Sequence, residues 1–177
     1  MLCANKLGAF GTLVSDAMEA ALDGVSPSAA ALLLTLHYRP DITISRLAEV
    51  AGIAQPTAVR ILDGLARRGC LEREARVGRT TPLRLTATGR ALAQSLQAAR
   101  LAAMERLLAT LPEAARPGFE QALDTILAAA TISHAFARTS CRLCDHAVCD
   151  GSLCPIGTRA AELERQSQEV SQEERSC

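Results

Sequence analysis

Residues 43–74 read TISRLAEVAGIAQPTAVRILDGLARRGCLERE. Thr43 opens a short helix that runs through Ala51, and Gly52 turns the chain. A second helix spans about residues 54–68, with Pro56 in its first turn and Gly69 closing it. Val59, Leu62 and Leu65 form its apolar row, while Thr57, Arg60, Gly64 and Arg67 lie elsewhere. A short helix, a glycine turn and a longer helix make a helix-turn-helix.

Downstream, CLEREAR (70–76) and TPLRLT (81–86) have strand character and flank Val77-Gly78-Arg79-Thr80. They predict a small hairpin, a wing, with Pro82 needing an edge position. Upstream, Leu7, Phe10, Leu13, Val14, Met18 and Leu22 recur at helical spacing over residues 5–23, and Gly24 ends that helix. Ser26-Pro27 opens another, about residues 27–38, which Pro40 and Asp41 stop. After the wing a long helix runs from Thr86 to about Leu111, on the order of 35–40 Å. Pro112 breaks it, and a further helix is expected over about 113–138, striped by Phe119, Leu123, Ile126, Leu127 and Ala130.

These elements predict a mainly α fold with a small β-hairpin wing: a winged helix-turn-helix plus long dimerisation helices. The expected organisation is an N-terminal dimerisation helix (1–25), the winged domain (26–90) and long dimerisation helices (91–140). A cysteine-rich segment (141–157) and a polar tail (158–177) follow, the tail being either a short exposed helix or disordered. The long amphipathic helices have more apolar face than one winged domain covers. A two-fold homodimer would bury it; a helical hairpin closing on itself is the competing arrangement.

Composition fits. The 177 residues are 49% hydrophobic but only 2% aromatic, so alanine and leucine fill the core, which favours helices. No signal peptide and no apolar run long enough to span a membrane are apparent. A cytoplasmic, reducing location is expected, where clustered cysteines read as metal-binding or reactive.

Residues 26–90 resemble the MarR family of winged helix-turn-helix regulators. The resemblance is carried by SPSAAALLLTL, by ISRLAEVAGIAQPTAVRILDGLARRGCLERE and by GRTTPLRLTATGRAL. Within these, Gln55-Pro56-Thr57, Gly69 with Leu71-Glu72-Arg73, Arg79, Leu85-Thr86 and Gly89 match the family pattern. Two positions depart from it. Val77 stands where an Asp usually orients the wing Arg, and Ala54 where a Ser often caps the recognition helix. The resemblance implies a dimeric DNA-binding transcriptional regulator, a repressor on a pseudo-palindromic double-stranded operator. It also implies a possible small-molecule effector. The other reading is a winged-helix protein-interaction module with a structural zinc site.

Charge supports nucleic acid. The whole chain has zero formal charge, but from Arg39 to Arg90 ten arginines face five acids, a net of +5. A basic segment on a neutral protein is the footprint of phosphate contact. A winged helix would place the start of the 54–68 helix in the major groove. Gln55, Thr57 and Arg60 stand near that end; Gln suits adenine and Arg guanine. Thr43 and Ser45 are candidate phosphate contacts, and Arg79 is placed at the wing tip to reach the minor groove. Arg67, Arg68, Arg76 and Arg84 are weaker candidates, since a single Arg is commonly a solvated surface charge.

Four of the seven cysteines fall in CRLCDHAVCDGSLCP, residues 141–155. Cys141, Cys144, Cys149 and Cys154 have the spacing C-x2-C-x4-C-x4-C, with Asp145, Asp150 and Gly151 favouring turns between them. Four thiolates suit tetrahedral zinc or an iron–sulfur cluster; a thiol switch, a disulfide pair or plain thiols are the alternatives. His146 is a weaker extra ligand and His134 weaker still. His37 reads as packed or as a helix C-terminal partner, Cys70 as a small buried hydrophobe, and Cys3 and Cys177 as terminal thiols. No Ser-His-Asp pattern, paired carboxylates or Gly-rich phosphate loop stands out, so the chain does not read as an enzyme.

Overall fold

Side-chain capping and glycine conformation place the helices, and the computed structural model describes residues 1–75, 82–149 and 153–176. Ser26 caps α2 (Pro27–Tyr38), its hydroxyl accepting the Ala29 N–H, with Pro27 in the first turn. Thr43 caps α3 (Ile44–Ala51) by accepting the Arg46 N–H, and Gly52 ends it in the left-handed region at φ 67°. Next comes α4 (Gln55–Arg67). It ends at Gly69, φ 68°, where the Cys70 N–H reaches back to the Leu65 carbonyl and the Gly69 N–H to that of Ala66.

The inner row of α4 is Ala58, Leu62 and Leu65, not Val59, Leu62 and Leu65. At 100° per residue, positions 58, 62 and 65 stay within a narrow arc, whereas 59, 62 and 65 drift steadily round the helix. Val59 is accordingly only half-buried.

The wing is β1 (Leu71–Arg73) paired antiparallel with β2 (Leu83–Leu85), in the register Leu71 to Leu85 and Arg73 to Leu83. Leu71, Leu83 and Leu85 face the core. Pro82 stands just outside β2 and serves as an acceptor, its carbonyl taking the Glu74 N–H. Residues 76–81, with Arg76, Val77 and Arg79, lie outside the described residues. Thr86 joins the wing to α5 (Ala87–Leu108), donating to the Gly69 carbonyl and accepting from the Gly89 N–H.

At the centre lies α2, buried from Ala29 through Leu36, hence its run of leucines on every side. It packs against α3, α4, β2 and α5. The N-terminal helix α1 (Leu2–Ala21) lies on α5 but buries none of its own residues, and Leu2, Leu7 and Leu13 are exposed. No helix among the described residues is long and apolar enough to cross a membrane.

The chain divides into two compact units, Met1–Pro112 and Glu113–Cys177. In the second, the helix expected over 113–138 is broken. A short 3-10 turn (Glu113–Ala115) leads into α6 (Arg116–Ala130), and α7 (His134–Ser140) follows. Thr131 leaves the helical region at ψ 106°, and Ser133 caps α7 by accepting the Phe136 N–H. Hydroxyl side chains here offer the backbone an alternative to a continuous helix. The polar tail belongs to a long helix, α8 (Pro155–Ser176), which starts inside the segment expected to be the cysteine block. Its Glu, Gln, Arg and Ala residues are good helix formers.

Candidate nucleic-acid interface and cysteine cluster

The helix-turn-helix brings five of the six predicted DNA contacts to its exposed side: Thr43, Ser45, Gln55, Thr57 and Arg60 are all exposed. The sixth, Arg79, lies outside the described residues. Thr43 spends an oxygen lone pair on its cap, 3.3 Å from the Arg46 nitrogen, which leaves its hydroxyl proton available as a donor. Ser45 and Gln55 are directly linked, the serine hydroxyl donating to the Gln55 side-chain oxygen at 3.2 Å. That bond turns the two N–H donors of the Gln55 amide outward. On α4, Thr57, Arg60, Gly64 and Arg67 follow each other at helical spacing, opposite the buried Ala58, Leu62 and Leu65. Nothing caps the start of α4, since Ala54 has no side-chain acceptor, but Pro56 removes one of the N–H groups that would need one.

Ion pairing sorts the arginines of the basic segment. Arg46 binds Glu49 at 2.7 Å, Arg73 binds Asp63 at 2.7 Å, and Arg84 binds Asp41 and Glu74, both at 3.0 Å. Four of the five acids are thereby occupied. Glu74, then Asp41, hold the Arg84 guanidinium still more firmly in its charged form. Arg84 therefore braces the wing against the residues after α2. Arg60, Arg67 and Arg68 are exposed and form no salt bridge among the described residues. Arg39 and Arg90 are likewise exposed and in no salt bridge among the described residues, so three of these five arginines stand on the outward side and end of α4.

Two of the three histidines have neighbours that place them. His37 ends α2 edge-on to Tyr38, with ring centroids 5.0 Å apart. His134 opens α7; Arg138 lies 3.0 Å from its Nδ1 and Glu164 lies 3.9 Å from its Nε2. Cys70 is buried, as a small hydrophobe, with its sulfur 3.8 Å from the Arg68 carbonyl. Cys3 is exposed, and Cys177 lies outside the described residues.

The four cysteines of the C-terminal block gather where α7 ends and α8 begins. Cys154, Ala137, Ile156 and Ala160 form a small core, with Cys141 and Cys149 packed against it. Cys141 shares a hydrogen bond with Cys144; that bond, then burial and the neighbouring Cys144, Cys154 and Cys149, push its thiol well above the usual range. Cys154 stands in the N-cap position of α8, its sulfur accepting the Gly157 N–H at 3.2 Å. All four are thiols. Among the described residues no three His, Cys, Asp or Glu side chains already stand in a metal-holding arrangement. Asp150 and Gly151 lie outside the described residues.

Sequence reading missed two of these features. The Ser45–Gln55 link depends on the angle between α3 and α4, which periodicity does not reveal. The sulfur cap on α8 had a signal, since Cys154-Pro155 places a polar atom just before a proline at a helix start.

The family model described as MarR family matches residues 23–79. The MarR family protein Rv2887 of Mycobacterium tuberculosis, solved in complex with p-aminosalicylic acid, is 30% identical. That match covers 70% of this chain and 96% of the relative, with a TM-score of 0.56. The same protein solved in complex with DNA matches at 26% identity over 70% of this chain and 95% of that one, TM-score 0.57. MepR, a transcription regulator of a multidrug efflux pump in Staphylococcus aureus, shares the fold at 16% identity and TM-score 0.63, over 73% of this chain and 98% of that one. No curated protein matches the chain.

Proposed function

Because the chain belongs to the MarR family of transcription regulators, we propose that it is a homodimeric, sequence-specific DNA-binding repressor. The observation that carries this reading is the unneutralised row on α4. Thr57, Arg60 and Arg67 line its outward side, Gln55 is oriented by Ser45 at its start, and the nearby acids are occupied elsewhere. Such a row fits the major groove, with donors for base edges at the helix start and charge for phosphates along it. A basic row of this kind on a neutral chain is the footprint expected for phosphate contact. The DNA complex of the M. tuberculosis relative supports the same reading.

The test is a titration of the full chain against mixed-sequence duplex and against its own upstream DNA, at several salt concentrations. A DNA binder loses affinity steeply with salt, and a specific one prefers the upstream site. A flat salt response would reject the reading. Transcription from that promoter, with and without the protein, separates repressor from activator.

An effector is part of the proposal. A cleft in the first unit is lined by Leu36, His37, Pro40, Glu72, Arg84, Leu85 and Arg90. Its apolar walls and the Arg90 guanidinium suit a small aromatic carboxylate, Arg84 being already paired with Asp41 and Glu74. The p-aminosalicylic and salicylic acid complexes of the relative support that class. Salicylate should weaken operator binding; no change up to millimolar concentration removes this part of the reading.

A further inference from the structure

Among the described residues the second unit buries few apolar side chains, Leu143 and the members of one small cluster. Its core cluster is Ala137, Cys154, Ile156 and Ala160, flanked by Cys141 and Cys149, and α6 contributes no buried residue. Half of those six side chains are cysteines. Small units with so slight a core normally carry a staple, either disulfide or metal. No disulfide supplies it, since the block consists of thiols.

We propose that Cys141, Cys144, Cys149 and Cys154 bind one zinc ion through four thiolates and that this ion closes the C-terminal unit. Local construction supports a ligand set. Cys141 and Cys144 lie on one turn, the Cys144 N–H bonded to the Cys141 carbonyl at 3.0 Å, as a chelating pair requires. Cys149 follows a turn in which the Asp145 carboxylate accepts the Ala147 N–H and the Asp145 carbonyl accepts the Cys149 N–H. Cys154 sits at the N-terminus of α8, where the helix dipole favours an anionic sulfur. The Gly157 N–H donates to that sulfur, the outer hydrogen bond that metal-bound thiolates commonly receive.

Four sulfurs fill a tetrahedral shell with no place for water, the pattern of a structural ion. The spacing differs from the ferredoxin run that holds iron–sulfur clusters. Redox-sensing cysteines are solvent-accessible, whereas Cys154 is buried and Cys141, Cys144 and Cys149 are half-buried. On binding, four S–H bonds break, four S–Zn bonds form and four protons pass to solvent; no electron moves.

The test uses the full chain purified without oxygen, and it needs no DNA, so its failure leaves the DNA reading standing. Metal and acid-labile sulfide are counted, then zinc is removed and replaced with Co²⁺. One zinc per chain, no sulfide and the intense visible absorption of tetrahedral thiolate-bound cobalt are expected. Cys144→Ser and Cys154→Ser should each weaken zinc at least tenfold, while their DNA titrations confirm that the first unit is folded. Iron with matching sulfide would overturn the zinc assignment. A parent protein that retains no metal and gives no cobalt absorption would overturn the site itself.

Discussion

The Ser45 hydroxyl donates to the side-chain oxygen of Gln55, 3.2 Å away, across the turn that joins α3 to α4. A residue of α3 thereby orients one at the start of α4, the helix proposed to enter DNA. Glutamine has several rotamers of similar energy, and ordering them at the moment of binding would cost entropy. A preset amide avoids part of that cost, so the pair should bear on sequence preference more than on overall attachment.

Gln55→Ala should weaken operator binding by about 1–3 kcal/mol, roughly 5- to 150-fold, while binding to mixed-sequence DNA hardly changes. Ser45→Ala should have the same character with a smaller effect. Competition anisotropy with operator and random duplex measures both. Equal losses on the two duplexes would make Gln55 a phosphate contact.

Arg60 and Arg67 are exposed on the same side of α4 and have no acidic partner among the described residues. If they meet phosphate, each change to Ala should reduce the slope of log affinity against log salt by about 1. Arg84, bound to Glu74 and Asp41, is the internal comparison, and its Ala variant should leave the slope unaltered. An unchanged slope in both α4 variants would remove that helix from the DNA.

Gly89 stands where a Cβ would collide with the backbone carbonyl of Cys70. Neither partner is a flexible side-chain end, so backbone must shift at the junction of β1 and α5. Gly89→Ala should destabilise the first unit by about 3 kcal/mol or more. Thermal unfolding followed by circular dichroism checks this; a melting temperature within a degree or two of the parent would contradict the packing.

That glycine also shows what the sequence could convey. Gly52, Gly69 and Gly89, with the hydroxyl caps at Ser26, Thr43 and Thr86, punctuate the first unit so strongly that its elements were legible to within a few residues. These signals are local, acting over three or four residues. The second unit has weaker punctuation. The break at Thr131–Ser133 rests on two hydroxyls inside an otherwise apolar helical stripe, and the stripe masked it. Side-chain pairing across elements is non-local. Ten residues separate Ser45 from Gln55, and the same separation joins Arg73 to Asp63 and Arg84 to Glu74. Charge counting therefore found the basic segment, and only the fold distinguished the braces from the outward charges.

The N-terminal helix gives the last expectation. Leu7 is 56% and Leu13 50% exposed on α1, which buries none of its residues. A helix with that composition is not stable on propensity alone and needs its apolar side covered. A second copy of the chain is the partner that two-fold operator binding requires. Leu7→Glu combined with Leu13→Glu places two charges where apolar contact is expected. The double variant should sediment as a single chain and lose at least a hundredfold in operator affinity, since one half-site then binds without its neighbour. The core around α2 should stay folded, because neither side chain belongs to it, while α1, left uncovered, should lose helix content. Sedimentation equilibrium decides the matter: a parent that is monomeric at micromolar concentration, or a variant that still pairs, would show that α1 is not the dimer contact.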